Sequence, residues 1–132
     1  MDTATDTRRR LVDAAVALFT EHSFAGTSLQ MIADELGVTK AAIYYHFKTR
    51  EQLLTGVLEP IFGELQAAVE AAEGLRTTAV RADAMLRGYA EMAVRHRALV
   101  SVLGGDPSVI RQLGAQPDWA QLIDRQMRLL AE

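Results

Sequence analysis

Apolar residues recur three and four positions apart along this chain, and no long stretch alternates between apolar and polar. The first series is Leu11, Ala14, Ala15, Leu18 and Phe19. The 3.6-residue period stacks it on one face of a helix over residues 7–22, with Asp6 as N-cap. Residues 1–5 are small and polar and read as a frayed tail. The second series, Ile32, Ala33 and Leu36, stops at Gly37. Glycine enters the left-handed conformation of a tight turn without the clash that a β-carbon brings. Val38 follows as an apolar plug, and Thr39 offers a hydroxyl to cap a third helix. Ile43 and Phe47, four apart, give that helix one buried stripe. Ala33, Gly37 and Ile43 therefore supply a small residue where two helices touch, a glycine in the turn, and a branched residue beneath the second helix. A helix-turn-helix restricts these three positions most.

With Ile43 and Phe47 facing inward, Ala41 and Tyr45 point directly away from the core, flanked by Ala42 and Tyr44. Thr39 and Lys40 stand at the open N-terminal end. The alanines let another surface approach the backbone, and tyrosine hydroxyls are groups that hold phosphates. Lys40 and the helix N-terminus add positive potential. The competing reading is an αα-hairpin in an all-helical core with both tyrosines buried. A core helix would not normally carry two tyrosines opposite its Ile/Phe stripe, so this face is expected to read DNA.

Residues 22–26 connect the first two helices, with Phe24 assigned to the core and Thr27 or Ser28 to the cap of the second helix. Thr49 caps a helix over residues 50–73, and Pro60 in its interior predicts a kink near Glu59 or a break. Gly74 ends it, and Thr77 and Thr78 can cap a helix over residues 79–96. A short helix over residues 99–103 follows. Gly104, Gly105, Asp106 and Pro107 read as a breaker. One or two helical turns over residues 108–113 and a final amphipathic helix from Pro117 complete the pattern, with Trp119, Leu122, Ile123, Met127 and Leu130 on that last helix. The prediction is an all-α chain. Its division is a three-helix DNA-binding domain at residues 1–49 and a second helical domain at residues 50–132, to which the resemblance below assigns a regulatory role.

The run from Thr27 through Leu54 resembles the N-terminal domain of TetR-family transcriptional regulators. The residues that carry the likeness are Gly26-Thr27-Ser28, Ile32-Ala33, Gly37-Val38, Tyr44-x-His46-Phe47, and Glu51-x-Leu53-Leu54. The resemblance implies a ligand-responsive regulator, most simply a repressor, that binds a palindromic operator as a homodimer. On that basis Thr39, Lys40, Ala41 and Tyr45, with Ala42 beside them, face base edges. Thr27, Ser28, Tyr44, His46 and Lys48 hold the backbone. The N-terminus of the first helix lies near DNA in the family, which favours phosphate contact by Arg8, Arg9 and Arg10 over a merely solvated face. Ser23 departs from the pattern, since family members often have glycine there as the left-handed helix terminator. The family's second half forms a small-molecule pocket, so Phe62, Met85, Tyr89, Met92, Leu103 and Trp119 become candidates to line a site for an apolar or amphipathic effector. The same spacing also suits plain core packing. Members carry two further C-terminal helices that form the dimer interface, so the resemblance implies either that this chain is truncated before them, which is the favoured reading, or that it dimerises differently.

Composition adds limits. The net charge of −3 counts against nucleic acid at first, and residues 1–60 hold six basic and eight acidic side chains. Placement matters more than the sum: Arg8–Arg10, Lys48 and Arg50 lie near the ends of the predicted DNA-facing helices. So modest a cationic patch implies two domains acting together. The weak charge also keeps open the alternative of a helical protein–protein interaction module whose tyrosine face binds a partner protein. With no cysteine, disulfides and thiolate metal sites are excluded. No apolar run approaches the ~20 residues of a membrane span, no signal-peptide core begins the chain, and the cytoplasm is the expected location. His22, His46 and His96 are scattered, without metal-ligand spacing. No catalytic constellation, cofactor motif or phosphate loop is present, and an enzyme is not expected.

Overall fold

The computed structural model describes residues 3–131, and these form nine α-helices with no strand. The expectation for Met1 and Asp2 lies outside the described residues. Helix α1 (Thr3–His22) starts four residues before the expected Thr7, so residues 3–5 are helical rather than a tail. Asp6 is thereby in the first turn instead of at the cap. There its carboxylate faces the positive end of the helix dipole, which still favours it.

At the end of α1, Ser23 takes the left-handed conformation itself, with φ 70°. The backbone costs about 1 kcal/mol for a residue with a β-carbon. Local hydrogen bonds offset it: the Ser23 hydroxyl accepts from the Gly26 N–H at 3.1 Å, and the Ser23 carbonyl accepts from the Thr27 hydroxyl at 2.7 Å. Gly26 closes this turn because a β-carbon there would stand 2.2 Å from the His22 carbonyl oxygen.

Helices α2 (Leu29–Leu36) and α3 (Lys40–His46) follow, joined through Gly37 at φ 67°. Both are short, and short helices need their ends satisfied. The hydroxyls of Ser28 and Thr39 accept from the N–H groups of Met31 and Ala42. Thr49 does the same for α4 (Arg50–Val57) through the N–H of Gln52. Leu11, Ala15, Ile32, Ala33, Ile43, Leu53 and Leu54 lose all solvent contact where α1, α2, α3 and α4 meet. Each large aliphatic side chain in that group contributes roughly 1.5–3 kcal/mol by burial.

The proline effect takes the form of a break. α4 ends at Val57, Leu58 is non-helical with φ −94° and ψ 5°, and α5 (Glu59–Glu73) restarts with Pro60 in its first turn. Proline is favoured there, since its missing N–H has no intrahelical partner to lose. Helix α6 (Thr78–Arg95) is capped by Thr77, and α5 packs along it and against the last helix. Helix α7 (Arg97–Gly105) is longer than predicted: Gly104 and Gly105 are helical, and the break falls on Asp106 alone. Asp106 then caps α8 (Pro107–Gly114), and α9 (Pro117–Leu130) ends the described chain. No helix of the described residues is long and apolar enough to cross a membrane.

Candidate nucleic-acid interface

The outer face of α3 is built by its inner one. Ile43 is fully buried and Phe47 nearly so, which turns Tyr45 outward to 75% exposure and Tyr44 to 38%. Ala41 is exposed and Ala42 half-buried, so little side-chain bulk stands between the backbone and an approaching surface. The His46 ring is half-buried and packs edge-on against Tyr45, their centroids 5.0 Å apart. This fixes one side of the exposed ring.

Three cations border the face. Lys40 stands 5.8 Å over the Tyr44 ring. The Lys48 ammonium donates to the Tyr44 carbonyl at 2.5 Å, across the C-terminal end of α3, where a positive charge suits the dipole. Arg8 lies with its guanidinium 4.5 Å over the Phe47 ring, which ties α1 to the end of α3. Arg9 is exposed on α1.

Two expected contributors face inward. Thr27 is 1% exposed, and its hydroxyl donates to the carbonyls of Leu18 and Ser23, so it braces the connector while Ser28 stays exposed at the cap. The position of Arg50 in the sequence predicts it in the cationic patch. Its guanidinium instead stacks 5.1 Å from the Phe24 ring and donates to the carbonyls of Phe24, Ala25 and Thr27. Sequence position near a DNA-facing end did not reveal this, because the acceptors lie more than twenty residues away.

A second concave feature lies among α5, α6, α7, α8 and α9. It is a cavity of about 430 Å³ with an almost wholly apolar wall. Of the six candidate ligand residues, Tyr89, Met92, Leu103 and Trp119 line it. Phe62 sits behind Trp119 in an edge-to-face pair at 5.0 Å, and Met85 is buried in the core away from the cavity. Ile110 and Ile123, both exposed by two-fifths or more, also line it. The sequence reading missed Gln126, whose side-chain oxygen accepts from the Tyr89 hydroxyl at 2.5 Å. Its signal was there: Gln126 follows Trp119 by seven and Ile123 by three, on the same helical face. Burial pushes the Tyr89 phenol up from its ordinary value, which keeps it a neutral hydrogen-bonding group.

A three-helix head whose short third helix presents exposed tyrosines and a lysine opposite a sealed apolar stripe defines a helix-turn-helix DNA-binding protein. Residues 11–57 match the model of bacterial regulatory proteins of the tetR family. The regulator AcrR of Shigella flexneri is 38% identical over 71 residues, covering 52% of this chain and 33% of that protein. The repressor KstR2 of Rhodococcus jostii is 31% identical over 96 residues, covering 70% of this chain and 46% of that one. In fold, the ketosteroid transcriptional regulator KstR2 of Mycobacterium tuberculosis superposes with a TM-score of 0.69 at 23% identity, over 92% of this chain and 61% of that chain. Over residues 11–57 the chain carries the N-terminal domain of the TetR family of transcriptional regulators. It spans about a third to about half the length of these curated relatives.

Proposed function

We propose that this chain belongs to a ligand-responsive repressor that acts in the cytoplasm as a homodimer on a palindromic operator. Two copies place α3 in successive major grooves about 34 Å apart. Ala41, Tyr45, Thr39 and Lys40, with Ala42, face base edges, and alanine methyls meet thymine methyls there. Ser28, Tyr44, His46 and Lys48 hold phosphates, with the Thr27 position contributing through the connector it braces. The division into a DNA-binding domain at residues 1–49 and a regulatory domain at residues 50–132 belongs to the same reading. The observation that carries it is the 75% exposed Tyr45 standing directly opposite the sealed Ile43 and Phe47.

The cavity is the effector site in this reading. Its wall favours an apolar or amphipathic molecule, held by contact with Met92, Leu103 and Trp119, with the Tyr89–Gln126 pair as the polar anchor. Effector binding releases the operator.

Selection of sites from a random duplex library at moderate salt tests the DNA half of this proposal. It is run with this chain and with a version extended through any further coding sequence. Enrichment of a two-fold symmetric site, abolished by Tyr45→Ala, is the expected result. Enrichment of an asymmetric half-site only would remove the dimer from the proposal. No enrichment with either chain would overturn it in favour of a protein-interaction module.

A further inference from the structure

Helix α8 touches both the cavity and the head. Ile110 and Leu113 form part of the cavity wall. The junctions at its two ends are hydrogen-bonded to the DNA-binding head. At the first, the Asp106 carboxylate divides its work. Oδ1 caps α8, accepting from the Ser108 N–H at 3.0 Å and the Ser108 hydroxyl at 2.7 Å. Oδ2 reaches across 82 positions of sequence and accepts from the Phe24 N–H at 2.7 Å. At the second junction, Gln116 accepts from the Thr55 hydroxyl of α4 at 2.9 Å.

Phe24 is a sensitive place to attach. It follows the left-handed Ser23 and leads through Thr27 into the Ser28 cap of α2, so its position sets how α1 and α2 are joined. Arg50 already fixes the carbonyls of Phe24, Ala25 and Thr27. The Phe24 N–H is held from the other side by Asp106, and this bond to a carboxylate is stronger than a neutral one. Burial pushes the Asp106 carboxyl up, but hydrogen bonds from Ser108, Phe24 and Val109 outweigh it and hold it below the usual carboxylate range. Asp106 therefore stays charged near neutral pH.

We propose that α8 is the strap through which filling of the cavity changes the geometry of the DNA-binding head, with Asp106 and Gln116 as the positioning residues at its ends. A molecule pressed against Ile110 and Leu113 displaces α8, and the displacement passes to the Phe24 connector and to α4. The inference rests on the reading of the cavity as an effector site, but its test does not require an effector.

The cavity can be filled from within. Ala93 lines it on α6 and makes neither tie, so Ala93→Phe inserts a ring; Leu103→Trp on α7 does so independently. Asp106→Asn keeps a good cap at α8 while turning an amide NH₂ toward the Phe24 N–H, and Thr55→Val removes the second tie with little change in shape. Circular dichroism and the amide spectrum verify folding, and the readout is the ¹H–¹⁵N resonances of residues 24–28 with hydrogen exchange at Phe24. Either filling variant should shift those resonances and speed Phe24 exchange roughly tenfold, the scale of one lost hydrogen bond. In the Asp106→Asn/Thr55→Val background those responses should largely disappear, and Thr55→Val alone should weaken them. Equal responses in both backgrounds would send the coupling by another route, such as the packing of α7 against α1, and overturn the strap. So would no head response to either filling variant while the Tyr89 resonances report a filled cavity. Fluorescence of N-phenyl-1-naphthylamine with the unaltered chain separates the two ideas. No binding of that probe, with the filling response intact, counts against the effector reading and leaves the strap supported.

Discussion

The head and the cavity region are both helical, yet they are stabilised differently. In the head, α2, α3 and α4 are each eight residues or fewer and each begins with a hydroxyl cap, from Ser28, Thr39 and Thr49. Their inward residues are sealed, with Ile32, Ala33, Ile43, Leu53 and Leu54 at zero exposure. Around the cavity, α5, α7 and α9 begin without a side-chain cap, and Tyr89, Val100 and Leu103 are only partly buried against open space. Short elements with N-terminal hydroxyl caps and sealed inward faces present a fixed surface. Longer amphipathic helices around a void have room to move, because the atoms facing it lack packing partners on one side. The region that must match DNA is the rigid one, and the region that can yield holds the cavity.

The sharpest way to break this contrast is a paired truncation. Ile43→Ala should cost about 3 kcal/mol by leaving a cavity in a closed core. Leu103→Ala should cost about 1 kcal/mol, since it enlarges a space already present. Chemical denaturation of the two variants measures the difference, and equal losses would mean that the head is no more tightly packed than the rest. Next in size is Tyr45→Ala. Being largely exposed, it should leave stability within about 0.5 kcal/mol while weakening operator binding by about 1–3 kcal/mol. A loss of folding stability instead would assign the ring to packing.

Lys48→Ala is expected to be smaller and different in kind. It should weaken binding to every sequence and reduce the slope of log affinity against log salt by about 0.9, the share of one phosphate. An altered sequence preference at unchanged slope would place Lys48 on a base. The smallest expected effect is acid sensitivity. Arg95 and His96 hydrogen bonds hold Glu64 below its ordinary value, the Arg125 hydrogen bond does so for Glu73, and hydrogen bonds outweigh burial at Asp106. A lowered folded pKa gives stability that is present above the unfolded carboxylate range and is lost as pH falls through the folded value. Thermal unfolding should therefore show a plateau near neutrality and a decline that begins as pH falls into the ordinary carboxylate range and continues below it. A decline beginning well above the ordinary carboxylate range would mean that these carboxylates do not set the acid limit.

How much was legible follows from how far each signal reaches. The turn at Gly37, the caps at Thr39 and Thr49, and the interruption before Pro60 were all readable, since each is decided by atoms within four residues, while the caps of α2 and α6 were narrowed to Thr27 or Ser28 and to Thr77 or Thr78. The inward stripe of α3 was readable for the same reason, and with it the outward direction of Tyr45. Local rules were less reliable where packing could override them. Gly104 and Gly105 have a poor helical propensity but stay helical within α7, whose Val102 is buried in the core. The start of α1 was misplaced because Asp6 suits a first turn as well as a cap.

The sequence by itself determined that the chain is helical, where most helices begin and end, and which face of α3 looks outward, because backbone conformation and amphipathic period are short-range properties. Tertiary structure decided what the long polar side chains do. Arg50 turns to the connector carbonyls instead of outward, Thr27 is sealed beneath them, Gln126 meets Tyr89 at the cavity wall, and Asp106 grips the Phe24 amide from 82 residues away. Such partners depend on where separate helices come to rest against each other, and no local pattern along the chain encodes that distance.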